Sequence, residues 1–221
     1  PAVFEAIESG CRLMLFDEDR SANNFMYKDE EIKKLLKYCS TRPFIENVQM
    51  LYKEYGISSV IVVGGSGMYL GVANCILLVE NFEVYHVRSR EMDIKYDYIF
   101  KLPRRIPNLK GLREICLKDK ISIIDDKTIS IGNAKINVTE IVPYVTQGQM
   151  VFIASFIYYM AVMEVWHSQQ TLPERVDIMY SKVNGDINKI RQWRFLPTSC
   201  IEYVRKYDIL SLLYRVQEIV Y

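Results

Sequence analysis

Two acidic residues follow a short apolar segment near the start of the chain. Residues 13–16 read Leu-Met-Leu-Phe, and Asp17 and Glu18 come directly after them. A strand of this kind delivers its last carboxylates to the carboxyl edge of an open α/β sheet, where ligands bind. One carboxylate there can hold a nucleotide-bound Mg²⁺, and the next can activate the attacking water. This is the Walker B pattern, although any strand that ends in two acids gives the same short string.

A glycine-rich turn follows a second apolar segment, residues 59–63. It consists of Gly64, Gly65, Ser66 and Gly67. Backbone N–H groups in such a turn can cradle a phosphate, while a tight connection from strand to loop needs the same residues. The turn matches neither G-x-G-x-x-G nor G-x-x-x-x-G-K-[ST], and the second motif occurs nowhere in the 221 residues. These residues alone are therefore not expected to hold a triphosphate in the manner of a P-loop.

A basic segment spans residues 101–113 and contains no acidic residue. Its two prolines and one glycine argue against a plain helix. The segment offers either a surface for nucleic-acid phosphates or a solvated linker, and both interpretations remain open. Its charged residues are Lys101, Arg104, Arg105, Lys110 and Arg113.

The composition narrows the classes of function. Lys and Arg number 28 and Asp and Glu 27, a balance that argues against a protein that coats polyanions. The two histidines, His86 and His167, are too far apart in sequence to suggest a histidine-based metal site. The five cysteines form no C-x-x-C motif, so we expect reduced thiols in the cytoplasm or the mitochondrial matrix, and not a secreted protein.

The order of predicted elements indicates an α/β fold with a mainly parallel sheet. A buried strand, two helices divided near Ser40 and Pro43, and a second buried strand lead to a hairpin. The remaining chain is predicted to form short strands and then helices. These later elements fall at residues 75–79 and 82–87 for the hairpin, 121–124 and 128–138 for the strands, and 147–166, 172–183 and 199–221 for the helices.

An uncharged stretch at residues 141–163 raises the question of a membrane span. Polar residues interrupt its first third and leave an apolar core of about 14 residues, whereas a bilayer requires about 20. We therefore predict a buried core helix and no membrane partner.

Two longer blocks resemble the predicted "ATPase of the ABC class" family, which includes a trypanosome mitochondrial protein associated with RNA editing. Residues 13–26, Leu-Met-Leu-Phe-Asp-Glu-Asp-Arg-Ser-Ala-Asn-Asn-Phe-Met, are similar to its motif L-L-hydrophobic-D-E-D-T-S-A-T-N-F-M. Residues 60–73, with Val-Val-Gly-Gly-Ser-Gly-Met-Tyr at their centre, are similar to V-V-G-G-S-G-D-Y-hydrophobic-D-V-A. The resemblance is specific up to residue 87 and looser from residue 88 onward.

The resemblance implies an architecture. Residues 1–90 would be the C-terminal part of an ABC-type P-loop domain, residues 91–138 a basic linker with a small β element, and residues 139–221 a helical C-terminal domain. In the family the P-loop precedes the Walker B strand. The chain is therefore expected to be the C-terminal portion of a longer ATPase, with Walker A in the N-terminal part of the same polypeptide. Expressed alone, it is expected to aggregate or to melt with poor cooperativity because it lacks the neighbouring strand.

The resemblance also implies roles for individual residues. Asp17 would organise Mg²⁺ and Glu18 would be the general base of ATP hydrolysis. The turn formed by Gly64, Gly65, Ser66 and Gly67 stands where ordinary ABC proteins carry a switch histidine, so a backbone or Ser66 contact would replace it. The D-loop, which contacts the opposite nucleotide site of a homodimer, would consist of Ser21, Ala22, Asn23 and Asn24.

The chain departs from the family pattern at several positions. Arg20 replaces a threonine beside the acids, and Met68, Gly71 and Asn74 stand where acids are expected. The activity implied by the resemblance is Mg-ATP hydrolysis coupled to RNA binding or remodelling. The alternative is a catalytically inactive, ATPase-derived module that binds RNA or a protein.

Overall fold

The computed structural model describes residues 2–35, 42–89, 101–102, 104–118, 121–162, 169–183, 186 and 201–216. The chain forms two compact units. The inserted unit is Gly10–Lys101, and the terminal unit combines Pro1–Ser9 with Leu102–Tyr221. The units do not follow the segment boundaries inferred from the sequence, because the small β element and the C-terminal helices share one core.

Helices and strands are both present, which confirms a mixed α/β class. The eight helices of the described residues are α1 (Ala2–Glu8), α2 (Asn23–Met26), α3 (Glu30–Leu35), α4 (Val48–Tyr55), α5 (Lys110–Leu117), α6 (Gln147–Val162), α7 (Leu172–Val183) and α8 (Lys206–Leu213). The seven strands of the same residues are β1 (Leu13–Asp17), β2 (Ser58–Val62), β3 (Cys75–Glu80), β4 (Glu83–Ser89), β5 (Ile121–Ile123), β6 (Thr128–Ile131) and β7 (Ala134–Asn137). Short 3₁₀ turns occur at Phe44–Glu46, Met68–Gly71 and Val138–Glu140.

Parallel pairing occurs between β1 and β2, with Leu13 opposite Ser58 and Asp17 opposite Val62. The other described pairs, β3 with β4 and β5–β6–β7, are antiparallel. The prediction of a mainly parallel sheet is therefore wrong for the described strands. Parallel neighbours need a long crossover, which α2–α4 supply between β1 and β2, whereas the later strands are joined by tight turns that allow only antiparallel pairing.

Among the described residues, one face of the β1–β2 sheet is covered and the other is not. Met14 and Phe16 of β1 lie on the covered face, and α4 below it buries Met50 and Leu51. The opposite face carries four apolar side chains, each more than half exposed. These side chains are Leu13, Leu15, Val60 and Val62, and they are called the outer face below. The prediction that both strands are buried is thus wrong within the described chain, since no described element covers the outer face.

The predicted hairpin is present, and its turn lies one residue further along the chain than predicted. β3 and β4 pair with Glu80 opposite Glu83, and the two turn residues are Asn81 and Phe82. Both have positive φ, 48° and 65°. This is the backbone form that joins two twisted strands through two residues.

The core of the terminal unit is built around α6. This helix has 16 residues, and eleven of them are buried. Helices α5, α7 and α8 and the strands β5–β7 contribute the rest of the core. The prediction of a core helix in this stretch is confirmed. No described helix is long and apolar enough to cross a membrane.

The last predicted helix is shorter than expected. α8 spans Lys206–Leu213, and the described residues 201–205 before it are extended or irregular. Arg205 has φ −67° and ψ 144° and forms an ion pair with Asp208 in the first turn of the helix. Residues 199–200 and 217–221 lie outside the described residues, as does Ser40 between α3 and α4.

Exposure of the outer face leads to a prediction about the isolated chain. Parallel sheets are normally buried on both faces, so residues 1–221 expressed alone should aggregate or melt broadly. Changing Leu15 and Val62 together to Lys should raise the monomeric fraction in size-exclusion chromatography, because both side chains point away from the covered core. The control is Met14→Lys on the covered face, which should worsen solubility. A sharp, reversible melt of unmodified monomeric chain would contradict the prediction.

Candidate functional site

The parallel register brings the two chemically suggestive segments to one edge of the sheet. Asp17 ends β1 opposite Val62, which ends β2. The backbone N–H of Glu18 then donates to the carbonyl oxygen of Val62 at 2.9 Å. The acids that follow β1 and the glycine turn that follows β2 therefore leave the sheet side by side. This is the edge at which open α/β sheets place their ligands.

The carboxylate of Asp17 is half exposed, with 53% of the side chain accessible. The backbone N–H of Arg20 donates to its Oδ1 at 3.3 Å, and the guanidinium Nε of Arg20 lies 3.8 Å from Oδ2. The Arg20 side chain is 88% exposed, so this ion pair contributes little energy. The carboxylate of Asp17 is thus positioned by the turn and still open to a cation.

A turn after the acids leads into the predicted D-loop. The hydroxyl of Ser21 donates to the carbonyl oxygen of Asp17 at 2.7 Å, and its backbone N–H donates to the carbonyl oxygen of Glu18 at 3.2 Å. Ala22, Asn23 and Asn24 are exposed, and the two asparagines open α2. The structure therefore presents these residues to solvent next to the acids.

The glycine turn touches the acidic segment. A methyl group on Gly64 would collide with the carboxylate of Asp19, so only glycine fits without moving that acid. The hydroxyl of Ser66 accepts from the backbone N–H of Met68 at 3.3 Å. Within the described residues this contact leaves the hydroxyl hydrogen of Ser66 available to a ligand. Gly65 and Gly67 are exposed.

Tyr69 joins the two halves of the site, and it is not among the site residues predicted from the sequence. Its hydroxyl donates to the carbonyl oxygen of Met26 at 2.7 Å, which ties the 3₁₀ turn Met68–Gly71 to the end of α2. Burial raises the pKa of Tyr69, and the negative charge of nearby Glu18 raises it further, so the hydroxyl remains a donor. The signal that could have identified Tyr69 is its place in the second block that resembles the family motif, residues 60–73. Asp19 is likewise not among the site residues predicted from the sequence. Its contact with Gly64 identifies it as part of the site.

Aromatic packing supports the acid-bearing strand from below. The ring centroid of Phe16 lies 4.5 Å from that of Phe44 and 6.3 Å from that of Phe25 on α2. Such tilted aromatic contacts add to the burial energy of the rings. They hold the end of β1 and the residue that directly follows the D-loop segment in one cluster.

The donor set fits Mg²⁺ bound with a nucleotide. Among the described residues, no three His, Cys, Asp or Glu side chains converge to hold a metal on their own. Magnesium in nucleotide sites keeps several waters and uses one or two carboxylates together with phosphate oxygens. Asp17 supplies one such carboxylate at an exposed strand end.

The basic segment is divided and partly neutralised. Lys101 ends the inserted unit, while the other four residues belong to the terminal unit. Nη2 of Arg104 donates to both carboxylate oxygens of Glu174 at 3.1 Å, and Arg105 forms a paired contact with Glu8. Lys110 is exposed at the start of α5, and Arg113 is half-buried on the same helix. The five charges therefore do not form one continuous basic surface on a single unit.

The comparison with known families agrees with the motif blocks. Residues 1–106 match the family model described as the P-loop domain of ABC_ATPase. The resemblance of this part of the chain to the ABC-class ATPases is therefore confirmed. A search of curated proteins found no match.

The matched residues 1–106 include the acids at the end of β1, the glycine turn and the β3–β4 hairpin. Members of such a P-loop family bind nucleotides and are ATPases, commonly with Mg²⁺. Within this segment, Asp17, Glu18 and the glycine turn lie together at one edge of the β1–β2 sheet. Their carboxylates and backbone N–H groups are suited to binding Mg²⁺ and phosphate. The terminal unit beyond residue 106 contributes the helical core described above.

Proposed function

We propose that this chain is the C-terminal portion of an ABC-class ATPase that binds and hydrolyses Mg-ATP as a dimer. The observation that carries the proposal is the parallel register of β1 and β2, which sets Asp17 and Glu18 beside the turn Gly64–Gly67. Asp17 would share Mg²⁺ with the nucleotide phosphates, and Glu18 would accept the proton of the attacking water. Ser66 and the turn amides would contact the γ-phosphate.

The proposed partner segment is the N-terminal part of the same polypeptide, carrying Walker A. One feature of the inserted unit supports it, together with a general rule about parallel sheets. The outer face is apolar and uncovered in the described chain, and a parallel sheet ordinarily has both faces covered. A segment that packs on this face would also bring its phosphate-binding loop to the edge where Asp17 lies.

The proposed homodimer uses the D-loop. Ala22, Asn23 and Asn24 are exposed beside the acids and end in the short helix α2, which the Tyr69 hydroxyl anchors. Small polar residues held rigidly at a surface can reach the nucleotide site of a second subunit. ATP held between the two subunits would then link hydrolysis to opening of the dimer.

The proposed coupling to RNA depends on the exposed cations of the basic segment. Arg104 and Arg105 are engaged with carboxylates, so Lys101 and Lys110 are the exposed cations of the segment that remain for phosphate contacts. RNA binding through them should weaken steeply with salt. Measurements of ATP binding and turnover distinguish the ATPase from the alternative, an inactive binding module.

The test is Mg-ATP binding and turnover by the complete natural polypeptide. Asp17→Ala should raise the Mg²⁺ concentration needed for half-maximal turnover by about tenfold or more, because it removes a carboxylate ligand. Asp126→Ala, an exposed aspartate of the terminal unit, is the matched control and should leave that concentration unchanged. A wild-type polypeptide that neither carries G-x-x-x-x-G-K-[ST] nor hydrolyses ATP would refute the ATPase and favour the inactive module.

A further inference from the structure

Tyr69 is buried at the junction between the glycine turn and helix α2. Tyr69 is 4% exposed, and Met26, the last residue of α2, is fully buried. The hydroxyl of Tyr69 donates to the carbonyl oxygen of Met26 at 2.7 Å. Removing a donor from a buried carbonyl costs more than the same loss at the surface, because water cannot replace it. This bond therefore ties together two segments of the inserted unit that are 43 residues apart.

Tyr69 is connected closely to the glycine turn. The 3₁₀ turn that carries it begins at Gly67, whose carbonyl oxygen accepts from the backbone N–H of Leu70 at 3.1 Å. The hydroxyl of Ser66 accepts from the backbone N–H of Met68 at 3.3 Å. These bonds link the glycine turn to the tyrosine over three residues, so a phosphate that fixes the turn also fixes the phenol ring.

Helix α2 depends on contacts with other segments. It has four residues, and a helix of this length is unstable alone. Ala22 before it supplies no side-chain cap. The ring of Phe25 packs 6.3 Å from that of Phe16, between centroids, and the last carbonyl of the helix accepts from Tyr69. The first contact links the helix to the acid-bearing strand, and the second links it to the glycine turn.

The hydroxyl of Tyr69 also lies within electrostatic reach of the proposed general base. Burial raises the pKa of Tyr69, and the negative charge of Glu18 raises it further. The phenol therefore stays protonated and continues to donate to α2 at neutral pH. The tyrosine thus lies where the acids, the glycine turn and the D-loop helix meet.

We propose that Tyr69 is a positioning residue that couples phosphate binding at the glycine turn to the dimer contact of the D-loop. The inference rests on the proposed function, because it requires Mg-ATP at the turn and a dimer formed through Asn23 and Asn24. Phosphate fixes the glycine turn, and the Tyr69 hydroxyl then holds the end of α2. The two asparagines at the beginning of this helix thereby take the orientation that a second subunit binds. Nucleotide therefore tightens the dimer through Tyr69.

The experiment measures the dimer dissociation constant of the complete natural polypeptide by sedimentation velocity, with and without Mg²⁺ and AMP-PNP, an ATP analogue that is not hydrolysed. Tyr69→Phe keeps the buried ring and removes the hydroxyl. In the unmodified polypeptide the analogue should tighten the dimer, and in Tyr69→Phe this tightening should fall by about tenfold. The affinity of the monomer for AMP-PNP should stay within about twofold, because the hydroxyl donates to α2 and not to the nucleotide.

Tyr180→Phe is the matched control. The hydroxyl of Tyr180 donates to the carbonyl oxygen of Val204 at 2.8 Å in the terminal unit. This variant loses the same kind of hydrogen bond and should lower the midpoint of thermal unfolding, but it should leave the tightening by AMP-PNP unchanged. The pair of variants therefore separates coupling from a general loss of stability.

The outcomes distinguish this inference from the proposed function. Unchanged tightening in Tyr69→Phe, or a loss of AMP-PNP affinity equal to the loss of tightening, would overturn the inference and leave the ATPase in place. An unmodified polypeptide that does not bind AMP-PNP would refute both.

Hydrogen exchange of the unmodified polypeptide tests the same coupling without a variant. The amides of Phe25, Met26 and Tyr27 donate to the carbonyl oxygens of Ala22 and Asn23. AMP-PNP with Mg²⁺ should slow the exchange of these amides at protein concentrations where the monomer prevails, because the fixed turn holds the helix. Unchanged exchange in the nucleotide-bound monomer would overturn the inference even if Tyr69→Phe fails to fold.

Discussion

Replacing Glu18 by Gln should lower ATP turnover of the complete polypeptide by about 10²–10⁴-fold, the usual contribution of a general base. Glutamine keeps the size of the side chain and the hydrogen bond from the Glu18 backbone N–H to Val62, so the site should keep its shape. ATP binding should persist, because Asp17 and the glycine turn are untouched. The measurement is single-turnover hydrolysis together with the nucleotide dissociation constant.

Two comparisons make the Glu18 result specific. Glu31→Gln changes an exposed glutamate on α3 that pairs with Lys34, and it should leave turnover within about twofold. Asp19→Asn removes the charge that faces Gly64 and should have an effect smaller than that of Glu18→Gln. Unchanged turnover in Glu18→Gln would show that the acids are only a strand end.

Phe156→Ala should lower the free energy of unfolding of the terminal unit by about 3–5 kcal/mol. The ring is fully buried on α6, with its centroid 5.8 Å from that of Phe152 and 4.8 Å from that of Tyr180. The neighbouring rings belong to α6 and α7, which cannot collapse fully into the space left behind. Hydrogen exchange of the α6 amides reports the loss directly, since these amides exchange only when the unit opens.

Tyr144→Ala is the control for the core substitution. This ring is 94% exposed, so its removal should change the free energy of unfolding by no more than about 0.5 kcal/mol. Equal effects of the two substitutions on α6 exchange would mean that the cluster around Phe156 does not stabilise the unit.

Local patterns in the sequence were sufficient to predict the secondary-structure elements that carry the site. An apolar segment followed by Asp17 and Glu18 predicts a strand with acids at its end, and the structure has β1 there. Glycine is the residue type that most often ends a helix in the left-handed conformation, and Gly56 ends α4 with φ 62°. Turn chemistry placed the hairpin within one residue, because only a short loop separates its strands.

The pairing of the basic segment could not be read from the sequence. Arg104 meets Glu174 and Arg105 meets Glu8, partners that are 70 and 97 residues away. A run of positive charges suggests a free surface only if no acids fold against it. Charge runs describe composition along the chain, whereas neutralisation depends on which helices pack together.

The sequence by itself determined the order of strand, acids, glycine turn and hairpin, because local hydrophobicity and turn residues act over a few positions. Two motif blocks in it also indicated the resemblance to ABC-class ATPases, which the family model matches over residues 1–106. Only the tertiary structure decided that Val62 lies opposite Asp17, that Tyr69 anchors α2 and that the outer face is uncovered. These features depend on register and packing between segments that are more than 40 residues apart, for which no local pattern carries the information.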